Sequence, residues 1–143
     1  MMRGTMLTLG CLIGLAAGWL ASAEEPMPAV APLPEPYASA DARRGRILFL
    51  QCVACHDLGP SAIVKVGPNL QGLPGRKAGS AEGFTYSEAM RASGIVWTPE
   101  ALDRFIEQPA AVVPGTIMVL AGVAKPADRA AITRFVFEQT AVE

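Results

Sequence analysis

Residues 52–56 read Cys52-Val53-Ala54-Cys55-His56. Two cysteines separated by two residues and followed by a histidine form the attachment pattern of a c-type haem. Two thiols on one turn of chain can add to the two vinyl groups on one porphyrin edge, and the adjacent imidazole then lies under the ring within reach of the iron. Cys-x-x-Cys alone is ambiguous, because half of a zinc site or a redox dithiol looks the same. Zinc requires about four ligands, and this chain has three cysteines and one histidine in all. A thioredoxin-like site belongs to a βαβ context, and no strand-rich pattern surrounds the motif.

Upstream, Arg3 precedes an apolar run from Met6 to Leu20, which exits through Ala21-Ser22-Ala23. A positive start, an apolar middle and a small-x-small exit describe a secretory signal peptide over 1–23, cleaved after Ala23. The competing reading is an uncleaved anchor, for which the apolar stretch is short against the ~20 residues of a spanning helix. Cys11 lies within the run, too early for a lipoprotein site. Export agrees with the haem motif, since covalent attachment in bacteria takes place outside the inner membrane. Residues 24–40 read as a proline-rich linker. Five prolines between Glu24 and Tyr37 oppose a helix and favour an extended spacer, either a stalk or a disordered mature N-terminus.

The 143 residues allow one domain. The charges are 12 Lys+Arg against 13 Asp+Glu; loss of residues 1–23 removes Arg3 alone, leaving 11 against 13, a formal −2. Such a balance speaks against a nucleic-acid partner. A folded part of this size has a marginal apolar interior, which a buried haem would enlarge.

Within 41–143 the pattern predicts helices joined by long irregular loops. The first spans Ala42–Val53, with Ile47, Leu48 and Leu50 on its apolar side; Arg43, Arg44 and Arg46 near its start oppose the helix dipole and read as a solvated face, with a docking patch as the alternative. A loop follows over 57–66. The glycine- and proline-rich run 67–79 cannot form long regular structure, and such backbone can pass close to a flat ligand. In it, Pro68 offers a carbonyl to the second nitrogen of His56, a bond that would fix the imidazole tautomer. A short helix is expected over 87–91. A better one covers 99–107, with Thr98 as N-cap, Pro99 in the first position and Leu102, Phe105 and Ile106 as one apolar stripe. Pro109 ends it, and a last helix runs over about 127–139 with Ile132, Phe135 and Val136 on the buried side. No strand alternation is evident.

A second axial ligand cannot be histidine, because there is none. Methionine, lysine, a weaker ligand and an open site all remain. The mature methionines are Met27, Met90 and Met118. Met27 lies in the linker and Met90 on a short helix. Met118 follows the turn Pro114-Gly115-Thr116 and is the best placed, although methionine is ordinarily core filler.

CVACH at 52–56, GPNLQGLPGRKAG at 67–79, GFTYSEA at 83–89, GIVW at 94–97 and PGTIM at 114–118, followed by AGV, together resemble the class I cytochromes c, in the short mitochondrial-type or c2-like branch. The resemblance spans 41–139, and the 62-residue separation of His56 and Met118 fits that branch. It implies an all-α fold wrapped around one covalently bound haem c, with Cys52 and Cys55 as anchors and His56 and Met118 as axial ligands. It further implies a Pro68 bond to His56, a haem propionate near Arg76, Tyr86 and Trp97, and Thr116 at the inner edge of the methionine loop. The chain departs from the pattern in three places. Ala110, Ala111 and Ile117 stand where lysines usually ring the haem edge. Val112 stands where a tyrosine is common, so a hydrogen bond to the methionine sulfur is lost. The glycine that meets an aromatic of the last helix is Gly45, one residue from its usual place.

The resemblance implies a one-electron carrier between periplasmic or membrane redox partners, not an enzyme, with periplasmic location or anchorage to the outer face of the inner membrane. Two alternatives stay open. One is a dedicated haem subunit of a dehydrogenase or oxidase complex, which the apolar edge (Ala110, Ala111, Ile117, Leu120) suits. The other is an open-site haem enzyme or sensor, which would require Met118 to leave the iron.

Overall fold

The computed structural model of the chain describes Met1 and residues 32–141, except 62 and 64. The expected signal peptide and the linker over 24–31 lie outside the described residues. Among the described residues five α-helices follow in order: α1 (Ala42–Leu48), α2 (Glu88–Ala92), α3 (Pro99–Glu107), α4 (Pro109–Val112) and α5 (Pro126–Thr140). Among the described residues there is no strand, only an isolated antiparallel bridge between Lys77 and Val96.

The expected first helix is shorter and has a different end. Asp41 caps α1 by accepting from the Arg44 N–H at 3.0 Å. After Leu48 the chain tightens into a 3-10 turn over Phe49–Gln51. Bonds of the i→i−3 type, such as Cys52 N–H to the Phe49 carbonyl at 2.7 Å, narrow the coil as it enters the cysteine-bearing turn. The arginines form the expected solvated face, since Arg43, Arg44 and Arg46 are all exposed, and from it Arg44 Nη2 reaches Asp128 in the first turn of α5 at 2.7 Å.

α1 crosses α5 at Gly45. A Cβ on Gly45 would overlap the Ala131 carbonyl and stand 2.8 Å from Phe135 Cβ, so only glycine allows the helices this close. The shift of Gly45 by one residue therefore leaves the crossing intact. One turn on, Phe49 packs on Phe135 with ring centroids 5.6 Å apart. Phe135 is half-buried, and Phe137, not assigned to the buried side from periodicity, is in the core with Ile132 and Val136.

α3 starts as its caps predict: Thr98 Oγ1 accepts from the Ala101 N–H at 3.1 Å and Pro99 takes the first position. Leu102, Phe105 and Ile106 are buried with Ala101, and Phe105 meets the Trp97 ring edge-on at 5.3 Å. Pro109 does not simply stop this helix. Gln108 breaks it with an extended φ of −150°, and Pro109, whose ring suits a first helical position, opens the short α4.

Part of the expected linker is integral to the domain. Residues 35–39 form turns, Tyr37 is buried, and Arg134 Nη1 of α5 donates to the Ala38 and Ala40 carbonyls at 2.7 and 2.8 Å. Proline fixed the local backbone there but did not keep it off the surface, because Tyr37 and Leu33 carry enough apolar area to pack. Burial pushes the Tyr37 hydroxyl above its usual range, helped by the charges of Asp103 and Glu100.

A second lock gathers α3, α5 and the segment after Met118. The buried Arg129 binds Asp103 at 2.7 Å and Glu107 at 3.2 Å. Its Nη1 also donates to the Val123 and Ala124 carbonyls at 3.1 and 3.0 Å. Beside it Gly122 has φ +115°, and a Cβ there would overlap the Glu107 carbonyl, so glycine meets both the conformation and the close approach.

Candidate haem site

The Cys52–His56 segment is a tight turn. The Cys55 and His56 N–H groups both donate to the Cys52 carbonyl, at 3.0 and 2.9 Å. The turn sets both thiols half-buried and unpaired. Burial, with the neighbouring Cys55, pushes the Cys52 thiol up to about 11. It is therefore a neutral thiol at neutral pH, held in an apolar setting beside the core.

His56 has its ring fixed from two sides. Nδ1 lies 2.7 Å from the Pro68 carbonyl. A carbonyl only accepts, so Nδ1 carries the proton and the Nε2 lone pair is free. Burial lowers the imidazole pKa, opposed by the Pro68 bond, and this favours the neutral ring that a metal needs. Behind the ring is Gly67, where a Cβ would come 2.5 Å from Cε1 and 2.9 Å from Nδ1. The Gly67 N–H also donates to the Cys55 carbonyl at 3.0 Å.

Lys65 completes the turn. Its Nζ donates to the Val53 carbonyl at 2.7 Å and the His56 carbonyl at 3.3 Å, and pairs with Asp57 at 2.7 Å. That bond holds the Asp57 carboxyl below the usual range. Neither Gly67 nor Lys65 is marked for a role by residue type or spacing. Gly67 sat within a quoted motif, but the contact that demands it comes from a residue eleven positions away. The Lys65 bonds depend on a loop returning over the turn, which no spacing rule announces.

Arg76, Tyr86 and Trp97 come together through the backbone. The Trp97 N–H donates to the Arg76 carbonyl at 2.9 Å, and Arg76 acts on Tyr86 closely enough to oppose the rise that burial gives its hydroxyl. Arg76 Nη1 donates to the Gln71 carbonyl at 2.6 Å and Nη2 to the Asn69 carbonyl at 3.1 Å, whereas Nε is buried with no partner. Burial lowers the Arg76 pKa, and no carboxylate pairs with it among the described residues. A half-buried cation with an orphaned donor is costly, and an anionic group would complete it.

Of the methionines, Met27 lies outside the described residues, and Met90 is buried in the core cluster. Met118 is only partly buried at the edge of that cluster, as are Cys52, Tyr86 and Leu120. Thr116 secures it: the Thr116 N–H donates to the Val113 carbonyl at 2.9 Å, and Oγ1 accepts from the Met118 N–H at 3.3 Å.

These residues fit a covalently bound metalloporphyrin. The two thiols share one turn, the neutral imidazole has its inner nitrogen free, a thioether stands at the edge of the same core, and Arg76 has an unmet need for an anion. A haem c would supply a one-electron ferrous/ferric couple there.

No family model matches the chain. It is 42% identical over 128 residues to the cytochrome c2 of Rhodomicrobium vannielii, an alignment that covers 90% of this chain and 92% of that protein. It is 49% identical over 88 residues to the cytochrome c-550 of Nitrobacter winogradskyi, covering 62% of this chain and 81% of the relative. Among solved structures, cytochrome cH from Methylobacterium extorquens matches with a TM-score of 0.65 at 35% identity, over 69% of this chain and 99% of the other. The cofactor is one covalent haem c, and its work is to pass electrons between redox partner proteins. Motif, helical fold and identity over nearly the whole length agree, and the chain belongs to the class I cytochromes c.

Proposed function

We propose that the chain is an exported, His/Met-ligated electron carrier without substrate turnover of its own. In this reading Cys52 and Cys55 form the two thioethers, and His56 Nε2 and Met118 Sδ are the axial ligands. Arg76 compensates a propionate together with Tyr86 and Trp97, and Thr116 steadies the methionine loop. The bond that carries the reading is His56 Nδ1 to the Pro68 carbonyl at 2.7 Å, because it leaves one ring nitrogen for a metal and raises its basicity. Each chain group has a static task. Pro68 and Gly67 orient the imidazole, Lys65 holds the carbonyls of the turn, and Thr116 limits the excursion of Met118. Fixed ligands keep reorganisation small, and filled axial positions exclude oxygen and peroxide.

Location in the periplasm, after removal of residues 1–23, belongs to the same proposal. It is supported by the N-terminal pattern and by the compartment in which haem c is attached. Among the described residues no helix is long and apolar enough to cross a membrane.

The test is a spectroelectrochemical titration of the exported holoprotein. One reversible one-electron step, with an alkaline pyridine spectrum showing both vinyl groups saturated, is the expected result. Steady peroxide turnover by the native protein would contradict the carrier reading.

One observation favours a second reading, that of a haem subunit held in a larger redox complex. Ile117 is 59% exposed and Val119 wholly so, and Ala110 and Ala111 are exposed on α4. Such an edge suits a lasting apolar contact better than a steered encounter.

A further inference from the structure

We infer that the outward face of α1 is a docking stripe for a redox partner protein whose footprint is apolar and bordered by carboxylates at one end. The inference rests on the electron-carrier reading and specifies the partner's chemistry.

The stripe follows from helical geometry. Gly45, Phe49 and Cys52 face inward toward α5 and the core. The opposite line therefore carries Arg43, Arg46, Ile47, Leu50 and Val53, at spacings of three and four residues. The 3-10 turn and the Val53 N–H bond to the Phe49 carbonyl at 3.2 Å continue the coil through Val53. Ile47 is 67% exposed, Leu50 66% and Val53 43%. Val66, 82% exposed, adjoins this end, because the neighbouring Lys65 reaches the Val53 carbonyl. Three large apolar side chains, Ile47, Leu50 and Val53, thus lie open in one line that ends on the turn bearing both haem cysteines, and exposed Val66 precedes the Gly67 N–H that donates to the Cys55 carbonyl of that turn at 3.0 Å. Contiguous exposed apolar surface of this kind marks an interaction site.

The charges identify the occupant. At the turn the cation Lys65 is neutralised by Asp57 at 2.7 Å. At the far end Arg43 and Arg46 are exposed and make no ion pair among the described residues, whereas Arg44 between them is taken by Asp128. A complementary surface is apolar opposite Leu50 and Val53 and acidic opposite the first turn of α1. This polarity fixes orientation: the arginines select which end of the partner meets α1, and the apolar contact brings the cysteine turn against it. Guanidinium groups are suited to paired recognition of carboxylates.

The test uses the holoprotein on gold electrodes coated with mixed methyl- and carboxylate-terminated alkanethiols, a probe that carries both features. The solution midpoint potential and the far-red ferric band are recorded beside it, so that failure of the carrier reading shows there and failure of the stripe shows only at the electrode. For wild type we expect electroactive coverage on the mixed surface that falls less than threefold as salt rises from low to physiological strength. Ile47→Gln/Leu50→Gln should cut coverage about tenfold on mixed and on pure methyl surfaces. Arg43→Gln/Arg46→Gln should cut it about threefold on the mixed surface and leave the methyl surface unaffected. Coverage unchanged in both double variants overturns the stripe, as does loss with Ile117→Gln alone. Wild-type binding to phosphatidylglycerol vesicles that vanishes in the arginine variant would assign the face to a lipid surface and equally overturn it.

Discussion

At the scale of single residues, the site depends on one absent methyl group. A Cβ at Gly67 would meet the His56 ring at 2.5 Å and the Cys55 carbonyl at 2.9 Å. One contact is to a ring already pinned by Pro68 and the other is to backbone, so neither can yield cheaply. Gly67→Ala should destabilise the holoprotein by about 1–3 kcal/mol in chemical denaturation and lower the yield of attached haem. Gly59→Ala has nothing within 4 Å of the added carbon and should stay within about 0.5 kcal/mol of wild type. Equal stability of the two variants would refute the packing argument. Cys52, Cys55 and His56 were legible in the sequence because attachment chemistry fixes their spacing. Arg76, Tyr86, Trp97 and Thr116 came forward only through family resemblance, since their nearness depends on the Lys77–Val96 bridge and the turn at Gly115. Gly67 as a steric necessity and Lys65 as a lock were not legible, because both arise where a loop returns.

At the scale of elements, two polar locks hold the helices around the site. Arg44 of α1 and Asp128 of α5 form the first. The hydrogen bond from Arg44 holds the Asp128 carboxyl below its usual value. A carboxyl depressed on folding contributes stability that is present above its unfolded pKa and lost as pH falls through its folded pKa. The contribution should therefore be whole at neutral pH and disappear on the acid side of about pH 4. Denaturation of wild type and Asp128→Asn across this range should show a gap at pH 7 that closes in acid; a gap that widens in acid would reverse the sign. The second lock is Arg129. Arg129→Gln leaves Asp103 and the Val123 and Ala124 carbonyls without their donor, at a cost of about 2–3 kcal/mol. Because those carbonyls end the segment after Met118, the far-red band should also weaken at a lower temperature than unfolding; retention of the band up to the unfolding midpoint would confine Arg129 to stability. α3 was read from its caps and apolar stripe to the residue, since local signals determine it. The end of α3 before Pro109 was legible, since proline restricts the residue before it, whereas the opening of α4 was not, because a proline that ends one helix can equally take the first position of the next. The α1 boundary was missed because a switch to 3-10 bonding leaves no mark in periodicity.

At the scale of the whole molecule, a small interior and one covalent cofactor account for the architecture. α1, α3 and α5 build a scaffold around one core cluster, and the long loops carry His56, Arg76 and Met118 to its edge. Composition already pointed to this arrangement, with few aromatics and a folded part too small to be comfortable without a large apolar insert. It did not reveal that residues 33–40 wrap the domain, because a proline-rich run reads alike whether free or packed. The central claim is that this molecule carries electrons through a haem whose two axial positions are filled by His56 and Met118. The measurement that tests it most directly is the absorption spectrum of the exported protein, ferric and ferrous, with carbon monoxide added to the ferrous form, alongside Met118→Ala. The account predicts a weak far-red ferric band in wild type that is absent in the variant, with carbon monoxide binding the variant only. Immediate carbon monoxide binding by wild type, with no far-red band, would mean an open position and would contradict it.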